Sequence, residues 1–164
     1  MTPAIEIRPL TLEEMAIPVA WAKAEGWNPG LLDASPFWHT DPNGFIGCFL
    51  DKKLVGVISA VRYDGKDDPE QRGSFGFIGL YIVHPDYRCG GYARRLGKAA
   101  IIGHLSDVAC IGLDGVLERQ EDYQAIGFNY AHLNARYCGQ TPLPSVSAEL
   151  NASPTTTFCA ILLA

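Results

Sequence analysis

The sequence lacks any long apolar run, and no uninterrupted stretch approaches membrane-spanning length, so a membrane-embedded chain is not expected. The N-terminus has no basic segment followed by an apolar core, so no secretory signal is expected either. Cysteine is scarce and odd in number: five residues, at 48, 89, 110, 138 and 159, with no metal-like spacing. That argues against a disulfide framework or a metal centre and for free thiols in a reducing cytoplasm. Positive charge is short as well. Thirteen Lys and Arg against eighteen Asp and Glu leave a net charge of −5, which argues against a nucleic-acid partner. An acidic balance suits a cationic or amine substrate without requiring one. Two phosphate-binding loops are missing: there is no G-x-x-x-x-G-K-[ST] run, and no G-x-G-x-x-G directly after a strand. No internal repeat is apparent.

What is present fits one globular domain. The chain has 164 residues, 48% hydrophobic and 19% charged, enough for a substantial core. Ile5 to Arg8 alternates and reads as a first strand. Thr11-x-x-Glu14 is a capping-box signal for a helix running to about Glu25, with Pro18 kinking it or opening a second helical segment. Turn clusters follow at Gly26–Gly30 and Asp41–Gly44, with a short helix expected near Leu31–Asp33. Phe45–Leu50 and Leu54–Tyr63 read as a hairpin, and Asp64–Gly73 as a polar loop. Phe75–Val83 is nearly all apolar, which predicts burial on both faces. A helix to about Gly103 and a strand at Val108–Leu113, parallel to the previous one, come next. Glu118–Ile126 reads as a short helix closed by Gly127, and Phe128–Tyr137 as a strand. Gln140–Thr155 should be irregular, and Thr157–Leu163 a last strand at the sheet edge.

The most informative stretch runs from Ile82 to Leu96: strand end, Gly-rich turn, helix start. Such a turn aims free backbone N–H groups outward, and the helix behind it adds a positive dipole end, so it forms an anion cradle. A lone Gly-Gly pair would read as an ordinary surface turn. Here an apolar strand precedes it and an apolar-faced helix (Leu96, Ala99, Ala100, Gly103) follows, and Arg88, Arg94, Arg95 and Lys98 make the turn locally basic.

Arg88-x-x-Gly91-x-Ala93 resembles the acyl-CoA pyrophosphate loop, Q/R-x-x-G-x-G/A, of the GNAT superfamily of N-acetyltransferases. Tyr123-Gln124-Ala125-Ile126-Gly127-Phe128 resembles the Y-x-x-x-G-F segment of the same enzymes. The resemblance covers roughly residues 5 to 137. It implies an α/β (α+β) GNAT fold: a central mixed, twisted β-sheet flanked by helices, with parallel, splayed fourth and fifth strands. It implies a single acetyltransferase domain over 1–164, with 140–164 outside the resembling stretch. The implied cofactor is acetyl-CoA as co-substrate, with no metal. The cofactor-binding residues would be Arg88, Cys89, Gly90, Gly91, Tyr92, Ala93 and Arg94, with backbone groups of Tyr81, Ile82 and Val83 serving the acyl and pantetheine arms. Tyr123 would be the general acid that returns a proton to the departing thiolate. Many relatives carry an Asn seven positions before this Tyr, where this chain has Val116.

An alkylamine of pKa about 10 must lose a proton before it attacks a thioester. Relatives often place a Glu on or near the fourth strand, yet Gly73–Val83 contains no Asp or Glu. Glu25, Asp33, His39 and Asp41 are the remaining candidates for the base. Glu25 ranks first, because Ala22-x-x-Glu25-Gly26-Trp27-Asn28-Pro29-Gly30 resembles a segment of a GNAT subgroup. Trp21, Trp27, Phe37, Trp38 and Tyr63 could wall an acceptor pocket, though such residues are more often core or rim packing. The expected partner is a small-molecule or peptide amine. Neither nucleic acid nor membrane is expected, and a homodimer is compatible. A non-catalytic acyl-CoA-binding or sensing module on the same fold is the alternative function.

Overall fold

The structure, a computed structural model, describes residues 4–30, 32–65, 73–138 and 153–163. These residues divide into two compact units after Gly112. Among them no helix is long and apolar enough to cross a membrane.

The first unit is built on antiparallel strands β1 (Ile5–Pro9), β2 (Phe45–Leu50), β3 (Lys53–Tyr63) and β4 (Phe75–Val83), in that spatial order. The start of β5 (Cys110–Val116) lies beside β4 and runs parallel to it. The β2–β3 hairpin turns at Asp51 and Lys52, both left-handed at φ 47° and 69°, the twist a two-residue turn needs. The capping box forms as the sequence predicts: Thr11 N–H donates to Glu14 at 2.9 Å and Glu14 N–H to the Thr11 hydroxyl at 3.4 Å. A 3-10 turn (Glu13–Met15) leads into α1 (Ala16–Ala24). Pro18 therefore falls in the first turn of α1, where its missing N–H has no intrahelical partner to lose, and it is buried there. The second helix, α2, is Ala34–Thr40 rather than Leu31–Asp33. Asp33 instead accepts the Gly30 N–H at 2.7 Å, closing a turn just ahead of it. Leu31 lies outside the described residues.

Helices cover both faces of this sheet. On one face Leu10, Met15, Ala22, Phe45, Phe49, Leu54, Val57 and Ile82 form a buried cluster, with Trp21, Trp27, Trp38, Val61 and Leu80 packed against it. On the other lie α3 (Tyr92–Gly97) and a π-helical continuation, Lys98–His104. Gly56 and Gly76 admit the side chains of Leu96 and Leu105 there: a Cβ on either glycine would come within 3.0 Å and 2.8 Å of them. Leu96 and Leu105 are buried, each contributing about 1.5–3 kcal/mol of apolar burial.

The second unit holds the end of β5, a 3-10 turn (Leu117–Arg119), α4 (Gln120–Ala125) and the hairpin of β6 (Asn129–Cys138) with β7 (Ser153–Leu163). Strand order here is β5-β7-β6. The last strand is thus interior and β6 forms the edge, contrary to the sequence expectation. The strand also begins at Ser153, inside the stretch expected to be irregular; the rest of that stretch, to 152, and loop residues 66–72 lie outside the described residues.

Burial of β4 also departs from expectation. Gly76, Ile78 and Ile82 are buried, and the other six residues are half-buried. The alternation breaks because β4 carries a bulge: Ser59 pairs with Gly79 and Val57 with Ile82, so two residues of β4 face one of β3.

Candidate functional site

Strand β4 ends at Val83 and leads through a 3-10 turn (Pro85–Tyr87) into the Gly-rich segment. Arg88 is extended, Cys89 is left-handed at φ 69°, and Gly91 is left-handed at φ 74° as the N-cap of α3. Two left-handed residues bracketing Gly90 fold the chain back on itself. Among the described residues, the backbone N–H groups of Cys89, Gly90, Gly91, Tyr92, Ala93 and Arg94 have no acceptor; the first paired donor is Arg95 N–H, to Gly91 O at 3.3 Å. Six successive unpaired donors, followed in the chain by Arg94, Arg95 and Lys98, are a backbone arrangement able to receive an anion. A Cβ on Gly91 would meet nothing within 4 Å, so the position needs glycine for its backbone angle and leaves room for a guest. A Cβ on Gly90 would lie 2.3 Å from the Tyr92 ring.

Side chains brace this turn from three sides. Arg88 Nε donates to Val83 O at 3.1 Å, and its Nη2 reaches Glu25 Oε1 at 2.5 Å. The Arg88 guanidinium thus ties the end of β4 to the end of α1. Tyr81 donates its hydroxyl to Ala93 O at 2.5 Å, against Gly97, and so fixes the first turn of α3 to β4. Ile82 is buried in the α1 cluster. Trp21, His84, Tyr87 and Tyr92 follow one another with ring centroids 5.5, 5.9 and 6.4 Å apart, lining the turn from α1 to α3.

The four carboxylate and imidazole candidates divide clearly. The structure brings Glu25 to the loop, but as the partner of Arg88. Asp33 caps the turn at Gly30. His39 is exposed on α2 and bonds back to Ser35. Asp41 is engaged on every side: it accepts from Asn43 N–H at 3.1 Å and Arg62 N–H at 3.0 Å, and pairs with His104 Nε2 at 2.7 Å. Of the aromatics, Trp21, Trp27 and Trp38 lie on the α1 cluster, and Trp38 donates its indole N–H to Leu10 O at 2.9 Å. Phe37 is exposed, and Tyr63 stacks on Phe75 at 6.4 Å.

Sequence reasoning missed the bulge. Leu80, at φ 41°, is a leucine in a conformation that L side chains rarely adopt. It leaves one backbone unit of β4 out of the ladder immediately before Tyr81. The only hint in the sequence is the neighbouring Gly79.

Tyr123 belongs to the second unit, on α4. Gly115 makes room for its ring, since a Cβ there would lie 2.9 Å away, and Phe128 packs edge-on at 6.1 Å. Phe128 N–H closes the helix end on Tyr123 O at 3.1 Å. Burial pushes the phenol above its ordinary range, opposed by Arg119 and reinforced by Asp122. The hydroxyl is therefore held in its proton-bearing form. Val116 ends β5 and precedes the 3-10 turn. Among the described residues, no three His, Cys, Asp or Glu side chains gather as a metal site would need.

Comparison with known proteins follows the same lines. The model of the Acetyltransferase (GNAT) family matches residues 9–128. The holothin acyltransferase of Pseudoalteromonas sp. (strain SANK 73390) is 33% identical over 132 residues, 80% of this chain and 42% of that protein. The chain therefore spans less than half the length of this curated relative. Among solved structures, Ard1 from Thermoplasma volcanium aligns with a TM-score of 0.68 at 15% identity, covering 97% of this chain and 96% of its own. The Drosophila melanogaster polyamine N acetyltransferase aligns at 0.69 and 12% identity, covering 98% and 99%. FeeM, an N-acyl amino acid synthase from uncultured soil microbes, aligns at 0.69 and 12%, covering 99% and 91%. At such identities the structural matches establish the fold alone.

Proposed function

The chain belongs to the GNAT acetyltransferase family, and we propose that it transfers an acyl group, acetyl in the first instance, from an acyl-CoA to an amine by direct attack in a ternary complex. We take residues 1–164 to act as one such domain. The observation that carries this reading is the set of six unpaired N–H groups from Cys89 to Arg94 around left-handed Gly91. Their donor chemistry fits a pyrophosphate, and the space at Gly91 admits one.

Each residue then has a task. The N–H groups of 89–94 hold the pyrophosphate, with Arg94 adding charge. Arg88 acts on the turn through its bonds to Val83 and Glu25, and Tyr81 keeps α3 aligned. The backbone of Tyr81, Ile82 and Val83, displaced by the bulge at Leu80, orients the acyl and pantetheine arms and supplies the donor that a developing oxyanion needs. An acyl-CoA brings the activated acyl group when bound. Tyr123, kept protonated by burial, gives its proton to the leaving sulfur and is the general acid. The free thiols Cys48, Cys89 and Cys110 suit a reducing compartment such as the cytoplasm.

One relative acylates holothin and a structural neighbour acetylates polyamines, acceptors of different character. A non-catalytic acyl-CoA-binding module is the second reading, favoured by the pairing of Glu25 with Arg88 and by the absence of a carboxylate on β4. Calorimetric acetyl-CoA binding, with thiol release measured against an amine panel on the same sample, separates the two. Binding with acceptor-dependent release supports the transferase. Binding with no release from any amine supports the module, and absence of binding refutes both.

A further inference from the structure

Ser59 stands out in the middle of the sheet. It is the one buried polar residue among the described core, 7% exposed, and its hydroxyl makes no hydrogen bond there. No fully occluded side-chain oxygen lacks a partner, so the Ser59 hydroxyl is one that can still be reached from outside the protein. Its direction follows from strand pairing. Ser59 lies opposite Phe45 on β2 and Gly79 on β4, and directly opposite residues share a face. Phe45 belongs to the α1 cluster, against which Trp21, Trp27, Trp38, Val61 and Leu80 pack. Gly79 leaves the hydroxyl uncovered on the β4 side; a Cβ there would lie 3.0 Å from Ser59 Oγ. The next residue is left-handed Leu80, where the backbone of β4 leaves the ladder.

Among the described residues, this face offers no unpaired carboxylate. Glu25 is paired with Arg88, Asp33 caps Gly30, Asp41 is held by His104 and two backbone N–H groups, and Gly73–Val83 contains no acid at all. Indole faces can attract an ammonium, but an ammonium has no lone pair to attack with, and no unpaired carboxylate among the described residues of this face would take its proton. A neutral amine is well served: one N–H donates to Ser59 Oγ, and the nitrogen lone pair remains free.

Resting on the transferase reading above, we propose that the acceptor is an uncharged aromatic amine, seated among the tryptophans of the α1 face with its nitrogen on Ser59. An alkylamine of pKa about 10 presents about one neutral molecule in a thousand at neutral pH and needs a base; an aromatic amine titrates several units lower and is already neutral. The missing carboxylate on β4 is then no defect. The amine lone pair attacks the thioester carbon, the C–N bond forms, the C–S bond breaks, and the proton lost by nitrogen ends on the thiolate sulfur. Ser59 neither gains nor loses a proton overall; it binds and orients the acceptor.

The test sets aniline and p-anisidine against spermidine, agmatine and a lysine peptide, with acetyl-CoA as donor. Thiol release and calorimetric binding of each amine are both read. The expected result is release with the arylamines and a kcat/KM that is flat across neutral pH. An alkylamine acceptor would instead show a kcat/KM rising tenfold per pH unit. Ser59→Ala should weaken arylamine binding about fivefold to tenfold, the size of one neutral hydrogen bond, and leave acetyl-CoA affinity unchanged. Gly79→Ala, which crowds the same hydroxyl without removing it, should do likewise. Faster turnover of any alkylamine, or acetyl-CoA binding with no release from either arylamine, overturns the acceptor class. Unchanged arylamine affinity in both variants overturns the role of Ser59. Failure to bind acetyl-CoA at all instead overturns the transferase reading beneath it.

Discussion

Glu25→Gln distinguishes a brace from a base. The Glu25 carboxylate meets Arg88 at 2.5 Å, with the two side chains 36% and 51% exposed. A pair so open to water is worth about 0.2–1 kcal/mol. Arg88 keeps its bond to Val83 O in the variant, so the turn loses one of its ties and not its shape. If Glu25 only braces Arg88, acetyl-CoA affinity falls by no more than about fivefold, the equivalent of that energy. The kcat should then stay within about twofold and the pH profile should keep its form. Removal of a true general base costs about 10²–10⁴-fold in rate and abolishes the acidic limb of the profile. The assay is steady-state thiol release at saturating acetyl-CoA across roughly pH 6 to 9, with calorimetric acetyl-CoA binding on the same protein. A hundredfold loss of kcat at unchanged acetyl-CoA affinity would refute the bracing argument, because the carboxylate would then have to leave Arg88 during turnover.

Four further outcomes follow from the geometry. Gly91→Ala meets no atom within 4 Å but forces an L side chain to φ 74°, so chemical denaturation should show a loss of about 1–2 kcal/mol. Gly91→Glu should abolish acetyl-CoA binding by calorimetry; unchanged affinity would remove the cradle from the argument. Tyr123→Phe should lower kcat and leave acetyl-CoA affinity alone, and the parent should show no Tyr-dependent loss of rate below pH about 10, since burial raises the phenol. Glu14 is held to about 2, first by its hydrogen bonds from Arg8 at 2.7 and 2.8 Å. Its folded-state value is depressed, so its contribution to stability is complete above the unfolded value of 4.5 and lost as pH falls toward 2. Glu14→Gln should flatten the acid side of a melting-temperature profile, and an unaltered profile would count against the pair.

The parts legible in the sequence are those set by local chemistry. Alternation in β1 and apolar runs bounded by turns in β2 to β4 locate these strands within a residue or two, and Thr11 and Glu14 announce their own reciprocal bonds. The Gly-rich turn is readable because glycine spacing reports where the backbone must turn, and so where its donors are left unpaired. Tyr123 is readable only through the resemblance of its surroundings, since nothing in a single tyrosine says that Gly115 lies beneath its ring. The place of β7 between β5 and β6 is a matter of long-range pairing, to which its own apolar run is indifferent.

The sheet is least legible where the backbone of β4 departs from its regular period. Gly76 faces the α3 side with Leu105, and Val83, seven residues later, faces the same side with Gly56 and Leu96. An uninterrupted strand would put residues seven apart on opposite faces. One extra residue at Leu80–Tyr81 restores the match, and it does two things together. It turns the Tyr81 ring toward α3, where its hydroxyl holds Ala93, and it leaves Gly79 and Leu80 beside Ser59 on the α1 side. Neither a leucine at φ 41° nor a serine in an apolar strand carries that information in its identity. The prediction that follows concerns the bulge itself. Deleting Leu80 should restore regular pairing to β3 and, because Gly76 and Val83 would then lie six apart, keep every remaining β4 residue on its present face, removing only the Leu80 side chain from the α1 cluster and the local distortion before Tyr81. Proteolysis and calorimetry should show a chain that still folds, with lower stability and weaker acetyl-CoA binding. A deletion variant that folds with parent stability and still binds acetyl-CoA would mean that the bulge sets neither the packing nor the cradle.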